Sequence, residues 1–182
     1  MDFIRNFPFF SIIICMFSGI ISSVLSGKKA RNLCFGAVGI VAVLSVSVLF
    51  YTVQTGESYT YMMGHFPAPW GNEIRAGILE GVLATTFSVI LLLSLVSAYH
   101  RTAEDIEESK LNLFYVLVDL LLSSLLAIIY TNDLFTAYVF VEINTIAACG
   151  LIMIRQIGRT FGAAIKYMVM SLVGSGLFLI GL

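Results

Sequence analysis

The chain has 182 residues, 59% of them hydrophobic and only 12% charged, with a mean hydropathy of +0.97 and a net charge of −1. A soluble domain is nearer half apolar and a quarter charged, so most of this chain is excluded from that class. The near-neutral charge and the lack of a basic cluster give no sign of a nucleic-acid partner.

The apolar residues come in blocks of about 20, the length that crosses the hydrocarbon core as a helix. They lack the two-residue alternation of barrel strands, which leaves helices as the way to satisfy a backbone in lipid. The sequence predicts an all-α, multi-pass bundle in one transmembrane domain over residues 1–182. Six spans are predicted at about 7–26, 32–51, 77–99, 112–130, 134–154 and 162–182.

The first span has one basic residue before it, Arg5, and three after it, Lys28, Lys29 and Arg31. That order is the reverse of a secretory signal, so an uncleaved anchor is expected. Lys28, Lys29, Arg31, Arg101, Lys110, Arg155 and Arg159 fall in the loops after spans one, three and five. Only Arg5 and Arg75 fall on the other side. The positive-inside rule then places the chain in the cell membrane with its N-terminus outside.

The longest outer connection, "TVQTGESYTYMMGHFPAPWGNEIRA", carries Tyr59, Tyr61 and Trp70, which suit the interface belt. Pro67, Pro69 and Gly71 predict an ordered turn or an extended, strand-like piece. The inner stretch "HRTAEDIEESK" reads as a solvated charged connector without a catalytic role.

Four ionisable residues fall within the spans: Glu80, Asp119, Glu142 and Lys166. Placing such a group near a helix centre costs roughly 2.5–3.5 kcal/mol on insertion scales. Four of them imply a polar interior rather than lipid exposure.

Glu142 is the most central. Thr145 and Cys149 share its helix face at i+3 and i+7, and Asn144 points about 160° away. Desolvation disfavours its charged form and a nearby cation favours it. A carboxyl between those influences can load and release a proton; the competing reading is a structural hydrogen bond to a neighbouring helix.

Asp119, followed by Ser123 and Ser124, belongs either to a proton path or to a polar packing seam. Glu80, a turn from the outer end of its span, either joins a path or reaches water. Lys166, a turn into the last span, either joins a path or snorkels to the interface.

Asn132 and Asp133 can cap the fifth span. Ser171 and Ser175 with Gly174 and Gly176 give the sixth a small-residue face, and Gly158 and Gly162 form a weak GxxxG pair. Cys15, Cys34 and Cys149 all lie in apolar segments without metal-ligand spacing and read as packing residues. His65 and His100 have no spaced ligand partners, so no metal is expected. There is no GxSxG, HExxH, phosphate loop or CxxC. Neither a catalytic centre nor a cofactor is expected in this chain.

The stretch "NDLFTAYVFVEINTIAACGLIMIRQIGRTFGAAIKYMVMSLVGSGLFLIGL" resembles the antiporter-like membrane subunits of respiratory complex I, Mrp cation/proton antiporters and membrane-bound hydrogenases. The likeness is carried by "DLF", "YVFVE" and "AAIKYMVMSLVGSGLFLIG". The outer-loop "PAPWGNEIR" extends it across essentially the whole chain.

The resemblance implies a subunit that moves protons, or couples protons to sodium, beside other membrane subunits in the lipid bilayer. It also leaves open membership of a proton-translocating oxidoreductase such as an NADH-quinone type. It implies that Glu142 is the proton-accepting member of a Glu–Lys pair whose lysine lies on the following helix. Lys166 matches a common lysine early in the sixth helix, not that partner. Asp119 has no counterpart in the family pattern. Many members carry an Asp where this chain has Gly77, with Glu80 a turn later.

Members continue through many more helices, whereas this chain stops at Leu182. A fragment, a split subunit completed by another polypeptide, and a degenerate relative are the three readings, with the first two preferred. Function divides likewise: a proton-translocating subunit or its N-terminal piece, a non-conducting structural subunit of such a complex, or a small stand-alone channel or carrier.

Overall fold

The structure is a computed structural model that describes residues 3–62, 71–99, 101–155 and 158–182. Six of its helices are long and apolar enough to cross a membrane. Helix α1 covers Phe7–Val24, α2 Gly27–Thr55, α3 Ile78–Ala98, and the short α4 Arg101–Asp105. Helix α5 covers Leu111–Tyr130, α6 Leu134–Met153 and α7 Gly158–Gly181.

An addition to the all-α expectation is an antiparallel ribbon of β1, Tyr59–Met62, and β2, Glu73–Ala76. Its register pairs Tyr59 with Ala76 and Met62 with Glu73. The extended piece expected in this connection is therefore present as two strands. Pro67, Pro69, Trp70, His65 and His100 lie outside the described residues. The buried Ile74 and Ala76 seat β2 on the ends of α1, α3 and α5.

Helix α2, at 29 residues, runs beyond the predicted 32–51 at both ends. Lys28, Lys29 and Arg31, assigned from the sequence to the loop before this span, lie in its first turns, where they oppose the helix dipole. Packing overrides that cost: Ala30 is fully buried, and the Arg31 guanidinium lies 4.2 Å from the centre of the Tyr99 ring. At the far end Gly56 adopts φ 68° and donates its N–H to the Thr52 carbonyl. That left-handed stop suits glycine.

Helices α1, α2 and α5 form the core, with α3 against α2 and α6 against α5, and α7 outermost beside α6. Lipid is as apolar as leucine, so these contacts rest on close approach and interhelical hydrogen bonds rather than on expulsion of water. At the α2–α3 crossing, a Cβ at Gly81 would lie 3.1 Å from the Leu49 Cα. Backbone cannot yield there as a side chain could.

Gly81→Val is therefore expected to destabilise the bundle by roughly 1–3 kcal/mol through overpacking. Gly36→Ala, on α2 with nothing within 4 Å of its Cβ position, is the matched control. Thermal unfolding in detergent compares them; equal midpoints would show that the α2–α3 approach is not limiting.

Candidate proton site

Helix α6 begins at Asp133, whose extended backbone lets its carboxylate accept from the Thr136 N–H at 2.9 Å, the Phe135 N–H at 3.4 Å and the Thr136 hydroxyl at 2.6 Å. The Thr136 hydroxyl, with these backbone N–H groups, holds the Asp133 carboxyl below the usual carboxylate range. The neighbouring Asn132 does not cap. Its backbone N–H and side-chain amide donate to the carbonyl and carboxylate of Glu73, at 2.9 and 3.0 Å, and tie α6 to the β-ribbon. These bonds fix the start of the helix that carries Glu142.

Glu142 lies near the middle of α6 and is half-buried. Its Oε1 is buried and has no hydrogen-bond partner among the described residues. The face-sharing read from the sequence orders the helix pair: Thr145 and Cys149 are both buried toward α7. The Thr145 and Ser171 hydroxyls lie 2.9 Å apart, and the Cys149 thiol donates to the Ala164 carbonyl at 3.8 Å. Ser171 and Ser175, with Gly174, line a 390 Å³ groove against Ala137, Tyr138 and Val141 of α6. Glu142 sits at the edge of this α6–α7 seam.

The four intramembrane ionisable residues are not brought together. Lys166 is exposed on α7, near the level of Cys149. It is therefore roughly 9 Å along the axis from Glu142 at helical rise. Neither residue forms an ion pair among the described residues.

Glu80 is half-buried in the first turn of α3, with Oε2 2.8 Å from where a Gly77 Cβ would stand. A carboxylate folded over a helix N-terminus is stabilised by the dipole. Asp119 has no exposed surface and accepts from the Ser18 hydroxyl of α1 at 2.6 Å. Ser123 and Ser124, suspected as its companions, donate instead to the Leu120 and Leu121 carbonyls of their own helix.

Sequence reasoning overlooked the surroundings of Asp119: Ser18 and Cys15 from α1 and Cys34 from α2. A signal existed, since Cys15, Ser18 and Ser22 share one face of α1. Choosing the opposing face, however, requires the helix pairing. At the β-ribbon end, burial pushes the Tyr59 hydroxyl up to about 12, with Tyr51 adding to the shift and Arg5 opposing it.

No protein-family model matches the chain. It is 31% identical over 155 residues, 85% of its length, to the protein provisionally described as antiporter subunit mnhD2 of Staphylococcus aureus strains JH9 and Newman. The whole chain superposes with a TM-score of 0.85 and 19% identity on a chain of an archaeal membrane-bound sulfane sulfur reductase, a respiratory membrane complex. The same values relate it to a chain of the Mrp complex from Dietzia sp. DQ12-45-1b.

The chain has the sequence likeness and the fold of antiporter-like membrane subunits over part of their length. It spans 30% of the curated relatives and 36% and 34% of the two structural neighbours. Its six helices of membrane-crossing length and these relatives mark it as a multi-pass membrane protein, and the structural neighbours belong to membrane complexes.

Because Asp133 sets the first turn of α6, Asp133→Ala is expected to cost about 1 kcal/mol of stability. The depressed carboxyl makes this contribution pH-dependent. It is present above the unfolded value near about pH 4 and is lost as pH falls through the lower folded value. Unfolding midpoints of the two proteins should therefore differ at neutral pH and converge in acid; a gap that persists in strong acid would count against the cap.

Proposed function

We propose that the chain carries part of a proton path as an antiporter-like subunit, with Glu142 as the group that accepts and releases the proton. The observation that supports this most directly is the buried, unbonded Oε1 of a carboxyl at mid-membrane depth. A structural glutamate buried in a bundle is expected to satisfy its oxygens with donors. An oxygen without a donor can hold the proton itself, and ionisable groups at this depth mark ion pathways by default.

The relatives' description as antiporter subunits agrees with this reading. Lys166, Asp119 and Glu80 are not direct partners of Glu142 in it. The cation that tunes Glu142 belongs to a neighbouring membrane segment, and other membrane subunits complete the path.

Glu142→Gln keeps the shape and removes the titratable proton. In the assembled complex it is expected to reduce proton translocation to background while subunit assembly is unchanged. Unaltered translocation with intact assembly would replace this reading with a second one, a non-conducting structural subunit. That alternative is favoured by one observation, the absence of an ion-paired cation beside Glu142 among the described residues.

The charge asymmetry further supports an orientation with the β-ribbon outside and the α1–α2 turn in the cytoplasm. Glu57→Cys should then react with an impermeant maleimide added to intact cells, and Glu108→Cys only after permeabilisation. Both positions are exposed, whereas the native cysteines are buried. The reverse labelling pattern would invert the topology.

A further inference from the structure

Three helices converge on Asp119. From α1, the Ser18 hydroxyl donates to Oδ2, and Cys15 lies beside it; from α2, the Cys34 thiol faces the same carboxyl. Oδ1 is buried and has no hydrogen bond of full geometry among the described residues, the Cys34 thiol being a weak donor beside the carboxyl. On α5 itself Tyr115 lies one turn away on one side and interacts with both Cys34 and Arg31, and Ser123 and Ser124 lie about one turn away on the other, bonded to carbonyls of their own helix. Helices α3 and α6 and strand β2 pack elsewhere on α5. Their titratable residues Glu80, Tyr138, Glu142, Cys149, Glu73 and Arg75 make no interaction with this carboxyl.

The surroundings differ sharply in the two directions along the bundle. One turn toward the start of α2 stand Ser22 on α1, Arg31 on α2 and Tyr115 on α5. Ser22 Oγ and Arg31 Nε are buried without hydrogen-bond partners among the described residues. Arg31 and Tyr115 also line a 490 Å³ cavity with Ser26, Lys28, Ser109 and Asn112. In the opposite direction Val38 and Val41 of α2 and Leu122 and Leu126 of α5 are all buried to within 1%. Ser123 and Ser124 of α5 and Ser11 of α1 also lie in that direction, but each hydroxyl donates to a carbonyl of its own helix. Ser45 and Tyr130 lie eleven residues from Cys34 and Asp119, roughly 16 Å along the axis.

We propose that Asp119 is a second proton-binding site, separate from Glu142, that exchanges its proton with water only through the cavity at the α2 N-terminal end. In the loaded state the carboxylic acid carries its proton on Oδ1, the oxygen without a strong donor, while Ser18 donates to Oδ2. On release the Oδ1–H bond breaks and the proton passes to water entering beside Ser22 and Tyr115, leaving a carboxylate between α1 and α5. The guanidinium of Arg31, one turn from Cys34 on α2 and interacting with Tyr115, supplies positive charge at this end of the site. The apolar layer prevents passage to the other face. The site therefore stores a proton from one side of the membrane and does not conduct, and its charge state alters the contact that joins α1 to α5.

Infrared spectroscopy of the chain with its membrane partners in lipid nanodiscs tests this through the carbonyl stretch of protonated carboxyl groups. One such band is expected to vanish in Asp119→Asn and to persist in Glu142→Gln, so failure of the Glu142 reading leaves this result unaffected. The same band should move in Ser18→Ala, which retains the acid and guards against misfolding of the Asn variant. On transfer to D2O the band should shift promptly in the native protein and more slowly in Ser22→Ala/Tyr115→Phe.

Three results would overturn the proposal. They are a spectrum unchanged in Asp119→Asn, a band that never shifts in D2O and so reports a sealed structural latch, or exchange as fast in the Ser22/Tyr115 variant as in the native protein.

Discussion

The hydrogen bond from Ser18 to Asp119, 2.6 Å long and wholly out of contact with solvent, is the interaction around which the bundle is arranged. A polar group in hydrocarbon must find its partner inside the protein. That requirement brings α1 beside α5 in antiparallel register, as the Asn112 amide donating to the Ser23 carbonyl confirms one end of the way. The measured worth of such bonds in membranes is modest, about 0.6 kcal/mol on average. Their importance is positional. The register matters because the cost of an unpartnered buried acid far exceeds the gain from a bonded one.

From this centre burial falls off outward. Of the apolar window of α5, 56% is buried, against 17% for α6 and 11% for α7. Helix α5 is a hub touching α1, α2, α3 and α6, whereas α7 is held by α6 through small and hydroxylated residues. The two intramembrane acids nearest the middle of their helices therefore occupy different settings. Asp119 is enclosed by helices of this chain. Glu142 is only half-buried, on a helix most of whose surface this chain leaves uncovered. A group that must meet a changing partner is better placed in such a setting than in a close-packed core, which has few alternative arrangements.

The fold was legible in the sequence to the extent that lipid imposes it. Length and hydropathy located every span, because a bilayer core about 30 Å thick admits few other solutions. The ends were less readable. Helix α2 starts at Gly27 despite the three basic residues that oppose its dipole, since the Arg31–Tyr99 contact joins residues from different spans. Asn132 and Asp133 looked equivalent as caps. Only the position of β2 explains why Asn132 turns to Glu73 while Asp133 takes the helix.

Among candidate site residues, Glu142 was legible as an acid amid apolar turns, but that Thr145 and Cys149 turn to α7 required the helix pairing. The neighbourhood of Asp119 was not. Its partners come from positions about 85 and 100 residues earlier in the chain, and hydropathy carries no information about which spans touch. Local spacing pointed instead to Ser123 and Ser124, hydroxyls that a helix interior readily satisfies with its own carbonyls. A serine following an acid within one helix is thus weak evidence of a network. A serine three residues from a cysteine on another helix, as with Cys15 and Ser18, becomes evidence only once the helices are paired. In membrane bundles the chemistry of a buried charge is written between spans, and the pairing of spans must be known before the residues around that charge can be read.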